Sequence, residues 1–186
     1  MMYEGELNVL GEFELKGSVL RISDPCYERD VWCCGTIDNC VPGTWQAAVL
    51  VKDEGEWGDR VAVLAARYAE TGPKFNGINR AKCNGTGQWH HAEFEVGVDS
   101  GQAGIFDDDH YQKDSDFPND PANDFGSRWY SSCCDVTLGR MKAGMIPYGV
   151  VSSTGYGDGG YGCTFHRNMD GQVDFVFISF IEDEEE

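Results

Sequence analysis

Two short segments of the chain contain residue types that can bind a ligand or hold a metal ion. In the first, Asp99 and Ser100 end a predicted strand, and Asp107 follows one short strand later. The second is the glycine-rich segment 153–161, where Gly residues let the backbone approach a ligand and Asp158 supplies a carboxylate. If both segments lie at one rim of the fold, they form a shallow pocket. The residues predicted to face its ligand are Asp99, Ser100, Asp107, Tyr156, Gly157, Asp158, Gly159 and Tyr161.

The carboxylates of Asp99, Asp107 and Asp158 also predict an irregular site for a divalent cation such as calcium, because calcium prefers oxygen ligands. The regular calcium motif is absent. An EF-hand loop needs Gly at its sixth position, and the loops that would begin at Asp107, Asp114 or Asp120 have none there. We therefore predict no cofactor with assurance, and a bound divalent cation such as calcium is an alternative.

The glycine-rich segment has a second interpretation, which is purely structural. Its glycines can form a sharp hairpin or bulge in which Asp158 accepts hydrogen bonds from backbone N–H groups. A phosphate-binding loop is excluded, because the chain has no Gly-x4-Gly-Lys-Ser/Thr pattern and no helix is predicted after the glycines. A structural bend and a ligand-facing loop both stay open at this point.

Hydrolytic catalysis has little support in the sequence. The histidines occur in neither a His-Glu-x2-His motif nor a recognisable triad, and Ser100 has no base beside it. His166 lies on the strand after the glycine-rich segment and can face Asp158 or Asp174. A divalent-metal-dependent hydrolase that uses the same carboxylates, with His166 as its base, is therefore an alternative. We lean towards a protein that is not an enzyme.

Eight cysteines are many for a chain of this length. Disulfides are one explanation, but no export signal points to an oxidising compartment. Structural zinc is another, but the spacings among Cys26, Cys33, Cys34 and Cys40 depart from the usual Cys-x2-Cys pattern. We therefore favour reduced, partly buried thiols that pack as small hydrophobic groups.

The charge of the chain limits the kinds of partner. Its 186 residues include 14 Lys and Arg against 32 Asp and Glu, so the formal net charge is −18. Such a charge repels nucleic acids and anionic membrane surfaces, and no apolar run is long enough to span a bilayer. The acidic residues 1–6 lack the basic and apolar regions of a secretory signal, so we predict a cytoplasmic protein.

Apolar and polar residues alternate with a period of two along much of the chain, and Gly, Asp and Pro interrupt the pattern. The predicted strands include residues 6–15, 18–23, 44–51, 60–68, 90–98, 102–106, 149–154, 161–167 and 173–181. The clearest hairpin is formed by segments 44–51 and 60–68. The pattern predicts a mainly β fold, an antiparallel sandwich or partly open barrel with one or two short helices.

Three segments depart from the strand pattern. Residues 126–138 predict a short helix that carries Trp129 and Cys133 on one face. The Asp-rich segment 107–124 is predicted to be a solvated, mobile loop with one helical turn near residues 108–113. Residues 26–43 are predicted to have irregular structure. The chain is thus predicted to be a single β-rich domain, residues 1–181, followed by an acidic tail, residues 182–186.

The turn at residues 98–101, the glycine-rich segment 153–161 and the closing strand together resemble the bacterial family catalogued as domain of unknown function 4241. The resemblance runs from about Glu93 to the C-terminus. It implies a β-rich fold and a shared site, but no reaction. The chain departs from the family pattern in its Cys pairs and in its Asp-rich segment.

The sequence therefore predicts a binding domain whose pocket takes a small ligand or a protein partner, with no role for nucleic acid or membrane. The metal-dependent hydrolase is one alternative. An acidic decoy or immunity-type protein, which would cover a basic partner by its charge, is another.

Overall fold

In a computed structural model of the chain, residues 5–78, 88–118 and 127–183 are described. They form two antiparallel sheets and one α-helix, which confirms the predicted mainly β class with few short helices. Within these ranges the sheets do not close into a barrel. No helix in the same ranges is long and apolar enough to cross a membrane.

The strands are divided between two sheets. Their bounds are β1 (Glu6–Leu15), β2 (Leu20–Ser23), β3 (Gly35–Ile37), β4 (Gly43–Asp53), β5 (Asp59–Tyr68), β6 (Trp89–His91), β7 (Val96–Val98), β8 (Gln102–Asp107), β9 (Ala143–Ile146), β10 (Gly149–Ser153), β11 (Gly159–Arg167) and β12 (Val173–Ser179). The larger sheet has the order β1-β4-β5-β12-β11-β6, with β7 also paired to β11. The smaller sheet has the order β3-β2-β8-β10-β9, and the helix α1 (Arg128–Thr137) contacts β9 and β10.

The two sheets pack face to face around an apolar core. Trp45, Leu64 and Val176, from the central strands of the larger sheet, are fully buried in it. A second apolar cluster, which includes Phe75, covers the other face of this sheet, and a third includes Trp129 of α1. The apolar runs of β5 and β12 are therefore buried on both faces, as expected for strands at the centre of a sandwich.

Strand β1 has the predicted bounds, but its predicted faces are wrong in the first half. The alternation placed Leu7 and Val9 on the buried side with Phe13 and Leu15, yet Leu7 and Val9 are exposed. The pairing of β1 with β4 shifts between Val9 and Gly11, so one extra residue is inserted there. Such a bulge exchanges the two faces of a strand, because side chains alternate with a period of two.

The predicted strand 90–98 is two strands. Both β6 and β7 pair with the long strand β11, but residues 93–95 between them leave the ladder. The Phe94 ring packs on Gly35 of β3 and occupies the space where a Cβ at position 35 would lie. Phe94 therefore packs against β3, whereas Val96 and Val98 of β7 belong to the sandwich core. The three-residue strand β3 itself lies in the segment predicted to be irregular.

The predicted helix is confirmed as α1, and the predicted start at residue 126 lies outside the described residues. The hydroxyl of Ser127 caps its N-terminus by accepting a hydrogen bond from the Tyr130 N–H. The Asp-rich segment is described up to residue 118, and this part packs into the apolar cluster of Trp129 through the buried rings of Tyr111 and Phe117. A 3₁₀ turn at Asp108–His110 corresponds to the predicted helical turn.

The cysteines of the described ranges all carry free thiols. Cys33, Cys40, Cys133 and Cys163 are buried, and Cys40 and Cys163 belong to the sandwich core. Cys83 lies outside the ranges that are described, as do residues 184–186 of the predicted acidic tail.

Replacing Ser152 with alanine is expected to stabilise the fold. Ser152 lies on β10, is fully buried, and its hydroxyl has no hydrogen-bond partner among the described residues. A buried hydroxyl without a partner costs about 1 to 3 kcal/mol, so S152A should raise the free energy of unfolding by about 1 kcal/mol. Urea unfolding measures this, with S153A on the same strand as the control for the loss of a less buried hydroxyl. A destabilised S152A variant would show that the hydroxyl is bonded in solution.

Candidate functional site

The antiparallel pairing of the strands places the two predicted site segments side by side. Ser153 pairs with Gln102 in the smaller sheet, and Gly159 pairs with Val98 between β11 and β7. The turn between β4 and β5 reaches the same end of the sandwich, where Arg60 donates a hydrogen bond to the Gly155 carbonyl at 3.4 Å. We call this end the glycine end, and it comprises residues 53–60, 95–102 and 153–160.

One hydrogen bond joins the two turns directly. The Gly101 N–H donates to Oδ1 of Asp158 at 3.0 Å, across 57 positions of sequence. Gly101 has a positive φ of 69°, which favours glycine at this turn. Asp99 is exposed beside it, and its Oδ2 accepts a hydrogen bond from the Tyr27 hydroxyl at 2.7 Å. The structure thus brings together Asp99, Ser100 and Asp158, as the sequence predicted.

The Asp99 turn is organised by a buried carboxylate that the sequence analysis did not select. Asp24 follows β2, is fully buried, and accepts four hydrogen bonds. Its Oδ2 accepts from the N–H groups of Asp99 at 2.9 Å and of Ser100 at 2.8 Å. Its Oδ1 accepts from the Ser100 hydroxyl at 2.6 Å and from the Cys26 N–H at 2.9 Å. The buried Asp24 carboxylate therefore fixes the conformation of the Asp99 turn.

These contacts leave no activated nucleophile at the turn. The Ser100 hydroxyl donates to Asp24. Because both oxygens of Asp24 already accept hydrogen bonds from backbone N–H groups, the Ser100 hydroxyl has no available base. Partial burial and the neighbouring Asp24 carboxylate raise the pKa of the Cys26 thiol to about 12. At neutral pH this thiol is protonated, and a protonated thiol is a poor nucleophile.

The glycine-rich segment is a bend stabilised by its own side chains. The Thr154 hydroxyl donates to the Gly157 carbonyl at 2.8 Å, and the Tyr161 hydroxyl donates to the same carbonyl at 2.5 Å. Gly155 has a φ of 62°, and a Cβ there would lie 3.0 Å from Cγ1 of Ile181. The structural interpretation of these glycines therefore holds, and Asp158 caps a backbone N–H group as that interpretation expected.

The glycine end carries two exposed aromatic side chains, of which only Tyr156 was predicted as a site residue. Tyr156 is 56% exposed, and its hydroxyl donates to Oε2 of Glu54 at 3.0 Å. The Arg60 guanidinium lies over the Tyr156 ring, 5.0 Å from its centroid, and donates to the carbonyl of Trp57. Trp57 itself is 69% exposed. Its position on the turn between β4 and β5 gave no signal in the sequence beyond its aromatic type.

Asp107 does not belong to this site. It ends β8, whereas the Asp99 turn precedes the first residue of that strand, so the two lie at opposite ends of six strand residues. Asp107 is fully buried and accepts from the N–H groups of Lys16 and Asp109. The predicted three-carboxylate metal site is therefore not assembled. In residues 5–78, 88–118 and 127–183, no group of three or more His, Cys, Asp or Glu side chains is arranged to hold a metal ion.

His166 also lies away from the glycine end. It stands near the end of β11, and its Nδ1 is 2.6 Å from Oδ1 of the buried Asp174 on β12. The Trp89 ring packs on the imidazole at a centroid distance of 4.8 Å. Burial raises the pKa of Asp174. Of the two partners predicted for His166, the structure selects Asp174, and it places this histidine too far along β11 to act as a base beside Asp158.

Comparison with family models, with curated proteins and with solved structures finds no match to this chain. The resemblance to family 4241 therefore stays a prediction.

Proposed function

We propose that the chain is a non-catalytic binding domain whose glycine end binds a protein partner with a basic surface. The observation that supports this proposal is that two aromatic side chains of the glycine end, Trp57 and Tyr156, are exposed, with Arg60 over the Tyr156 ring. Trp, Tyr and Arg are the residue types that most often dominate the binding energy of protein interfaces.

The charged groups of the glycine end favour a basic partner. Glu56, Asp59, Glu95, Asp99 and Asp158 are exposed carboxylates at the same end of the sandwich. A protein interface commonly has an aromatic centre and a polar rim, and a rim of one charge favours the opposite charge on the partner. The formal net charge of −18 adds a long-range attraction that speeds such an association.

The internal hydrogen bonds of the site favour binding over catalysis. Ser100 and Cys26 are the nucleophile types at the Asp99 turn, and the first is bonded to Asp24 while the second is protonated at neutral pH. Within the described part of the glycine end, residues 53–60, 95–102 and 153–160, there is no histidine. The hydrolase alternative thus lacks both its third carboxylate and its base at this end.

A peptide-display selection tests the proposal. Peptides selected from a random library against the wild-type protein should be rich in Lys and Arg. Replacing Trp57 with alanine should weaken their binding by about 30-fold, because truncation of an aromatic residue at the centre of an interface costs about 2 kcal/mol or more. Y156A should weaken binding in the same direction, and moderate salt should slow association.

A matched control separates this surface from the rest of the protein. Met169 is 92% exposed in the turn between β11 and β12, at the opposite end of the sandwich, so M169A should bind the selected peptides as the wild type does. All variants should unfold at the wild-type temperature, because the replaced side chains are exposed. Selected peptides that are neutral or acidic, or that bind W57A and Y156A unchanged, would contradict the proposal.

A further inference from the structure

A cleft of about 300 Å³ opens between the two sheets, on the side where their edge strands β1 and β9 meet. Its floor includes Val51 and Val61, two residues that pair in the larger sheet and continue the apolar core. Its rim carries side chains of both charges. The lining residues are Glu6, Asn8, Val51, Asp59, Val61, Arg140, Met141 and Lys142.

The charged groups of the rim do not neutralise one another. Neither Glu6 nor Asp59 lies within 4.0 Å of a basic group of the described chain, and the Arg140 guanidinium has no hydrogen-bond or ion-pair partner there. Two cations and two carboxylates thus line one cleft without pairing. The four side chains are exposed, so a ligand that carries both charges can pair with both kinds of group, whereas an ion of either sign alone meets repulsion from half of the rim.

The basic side of the cleft is held in place by its backbone. Lys142 has a positive φ of 56°, and its N–H donates to the Gly139 carbonyl at 3.0 Å. Its carbonyl accepts from the Ser153 N–H at 2.8 Å, and its ammonium donates to the Asp59 carbonyl at 2.9 Å. These bonds tie the turn before β9 to both sheets. A positioned turn loses less conformational freedom when a ligand binds.

We propose that this cleft binds a small zwitterion, a free α-amino acid with an aliphatic side chain. Arg140 and Lys142 would bind its carboxylate, and Glu6 and Asp59 its ammonium group. Val51, Val61 and Met141 supply the apolar surface for its side chain. The cleft lies at the lower end of the range of about 300 to 1,000 Å³ for small-molecule sites, which fits a ligand of this size.

Isothermal titration with L-leucine tests the proposal. We expect saturable binding of one molecule per chain. Isoamylamine lacks the carboxylate and 4-methylpentanoate lacks the ammonium group, so each should bind at least about tenfold more weakly than L-leucine, because each loses the charge-assisted hydrogen bonds at one end of the ligand. An absence of saturable leucine binding, or equal binding of either analogue, would overturn the proposal.

Two variants locate the binding in the cleft. R140Q and E6Q should each weaken L-leucine binding by about tenfold, because each removes one charge-assisted hydrogen bond. Lys113 and Asp170 are exposed and lie outside the cleft, so K113Q and D170N should bind as the wild type does. Leucine affinity that is unchanged in R140Q and E6Q would refute this location. The W57A variant should retain leucine binding, so failure of the partner proposal and of this one are distinguishable.

Discussion

Replacing Asp24 with asparagine is expected to lower the free energy of unfolding by about 3 kcal/mol. The buried carboxylate accepts charge-assisted hydrogen bonds on both oxygens, and asparagine replaces one of these acceptors with a donor. Asparagine has nearly the same shape, but one of its terminal atoms is an NH₂ group. With that group at the Oδ2 position, the N–H groups of Asp99 and Ser100 both lose their acceptor. With the group at the Oδ1 position, the Cys26 N–H loses its acceptor. Either orientation leaves a backbone donor unpaired.

Urea unfolding measures this loss, and D99N is the matched control. Asp99 is an exposed carboxylate of the same turn that accepts from the Tyr27 hydroxyl, so D99N should lower stability by less than about 1 kcal/mol. A second measurement is the alkylation rate of Cys26, followed by peptide mapping. The Asp24 carboxylate helps raise the pKa of this thiol, so D24N should alkylate faster at the same pH. Wild-type stability in D24N would contradict the role assigned to Asp24.

The role of Asp24 could not be predicted from the sequence, and the reason is general. In the sequence it is the first residue of an Asp-Pro pair, which is typical of a turn. Its function as a hydrogen-bond acceptor depends on donors 75 and 76 positions away, in the turn that precedes β8. A local pattern indicates where a turn lies, but it does not indicate which distant backbone groups that turn will meet.

The joining of the Asp99 turn to the glycine-rich bend could be predicted, because it follows from strand direction. Strands that pair antiparallel put the start of one beside the end of the other, so the start of β8 meets the end of β10. The same rule excludes Asp107, which lies at the other end of β8. The prediction that Asp107 lies at the same rim was wrong, because a whole strand separates it from the Asp99 turn. A strand of six residues spans about 17 Å, at about 3.3 Å per residue.

Alternation predicted strands more reliably than it predicted faces. The bounds of β1 are correct, yet the bulge near Gly11 exposes Leu7 and Val9. A single Gly marks such a position only weakly, since glycine also occurs in turns and at close contacts. A Cβ at Gly11 would lie 2.9 Å from Cγ of Met145 on β9, so the two edge strands approach closely there. That approach is a tertiary contact, and no local pattern encodes it.

The proposed surface and the proposed cleft lie at one end of the sandwich for a common reason. The helix α1 and the aromatic cluster around Trp129 cover the outer face of the smaller sheet, and the Phe75 cluster covers that of the larger sheet. The turns at the glycine end are not covered in this way, and they carry polar groups and exposed aromatic rings. Binding residues are commonly found on such loops, because a rigid scaffold positions them while their side chains stay accessible.

Replacing Trp129 with alanine is expected to cost about 3 to 5 kcal/mol of stability, the usual range for removal of a buried tryptophan. Trp129 is 2% exposed, and its ring packs on Phe106, Tyr111 and Phe117 at centroid distances of 4.8, 5.1 and 5.9 Å. The three other aromatic rings cannot close around the space that it leaves, because each is held at a different place along segment 106–117. The loss should appear as a lower urea midpoint with cooperative unfolding retained.

W129F and L138A make this prediction specific. Phenylalanine keeps an aromatic ring in the cluster and loses the indole N–H, which donates to the Pro25 carbonyl at 3.2 Å. That carbonyl also accepts from Gln112, so it keeps a partner, and W129F should cost only about 1 to 2 kcal/mol. Leu138 follows α1 and is 85% exposed, so L138A should leave stability unchanged.

Hydrogen exchange tests whether α1 also supports the glycine end. Because Pro25 adjoins Asp24, W129A should speed hydrogen exchange at the Asp99 and Ser100 amides. Protection of these amides equal to that in the wild type would show that α1 does not support the glycine end.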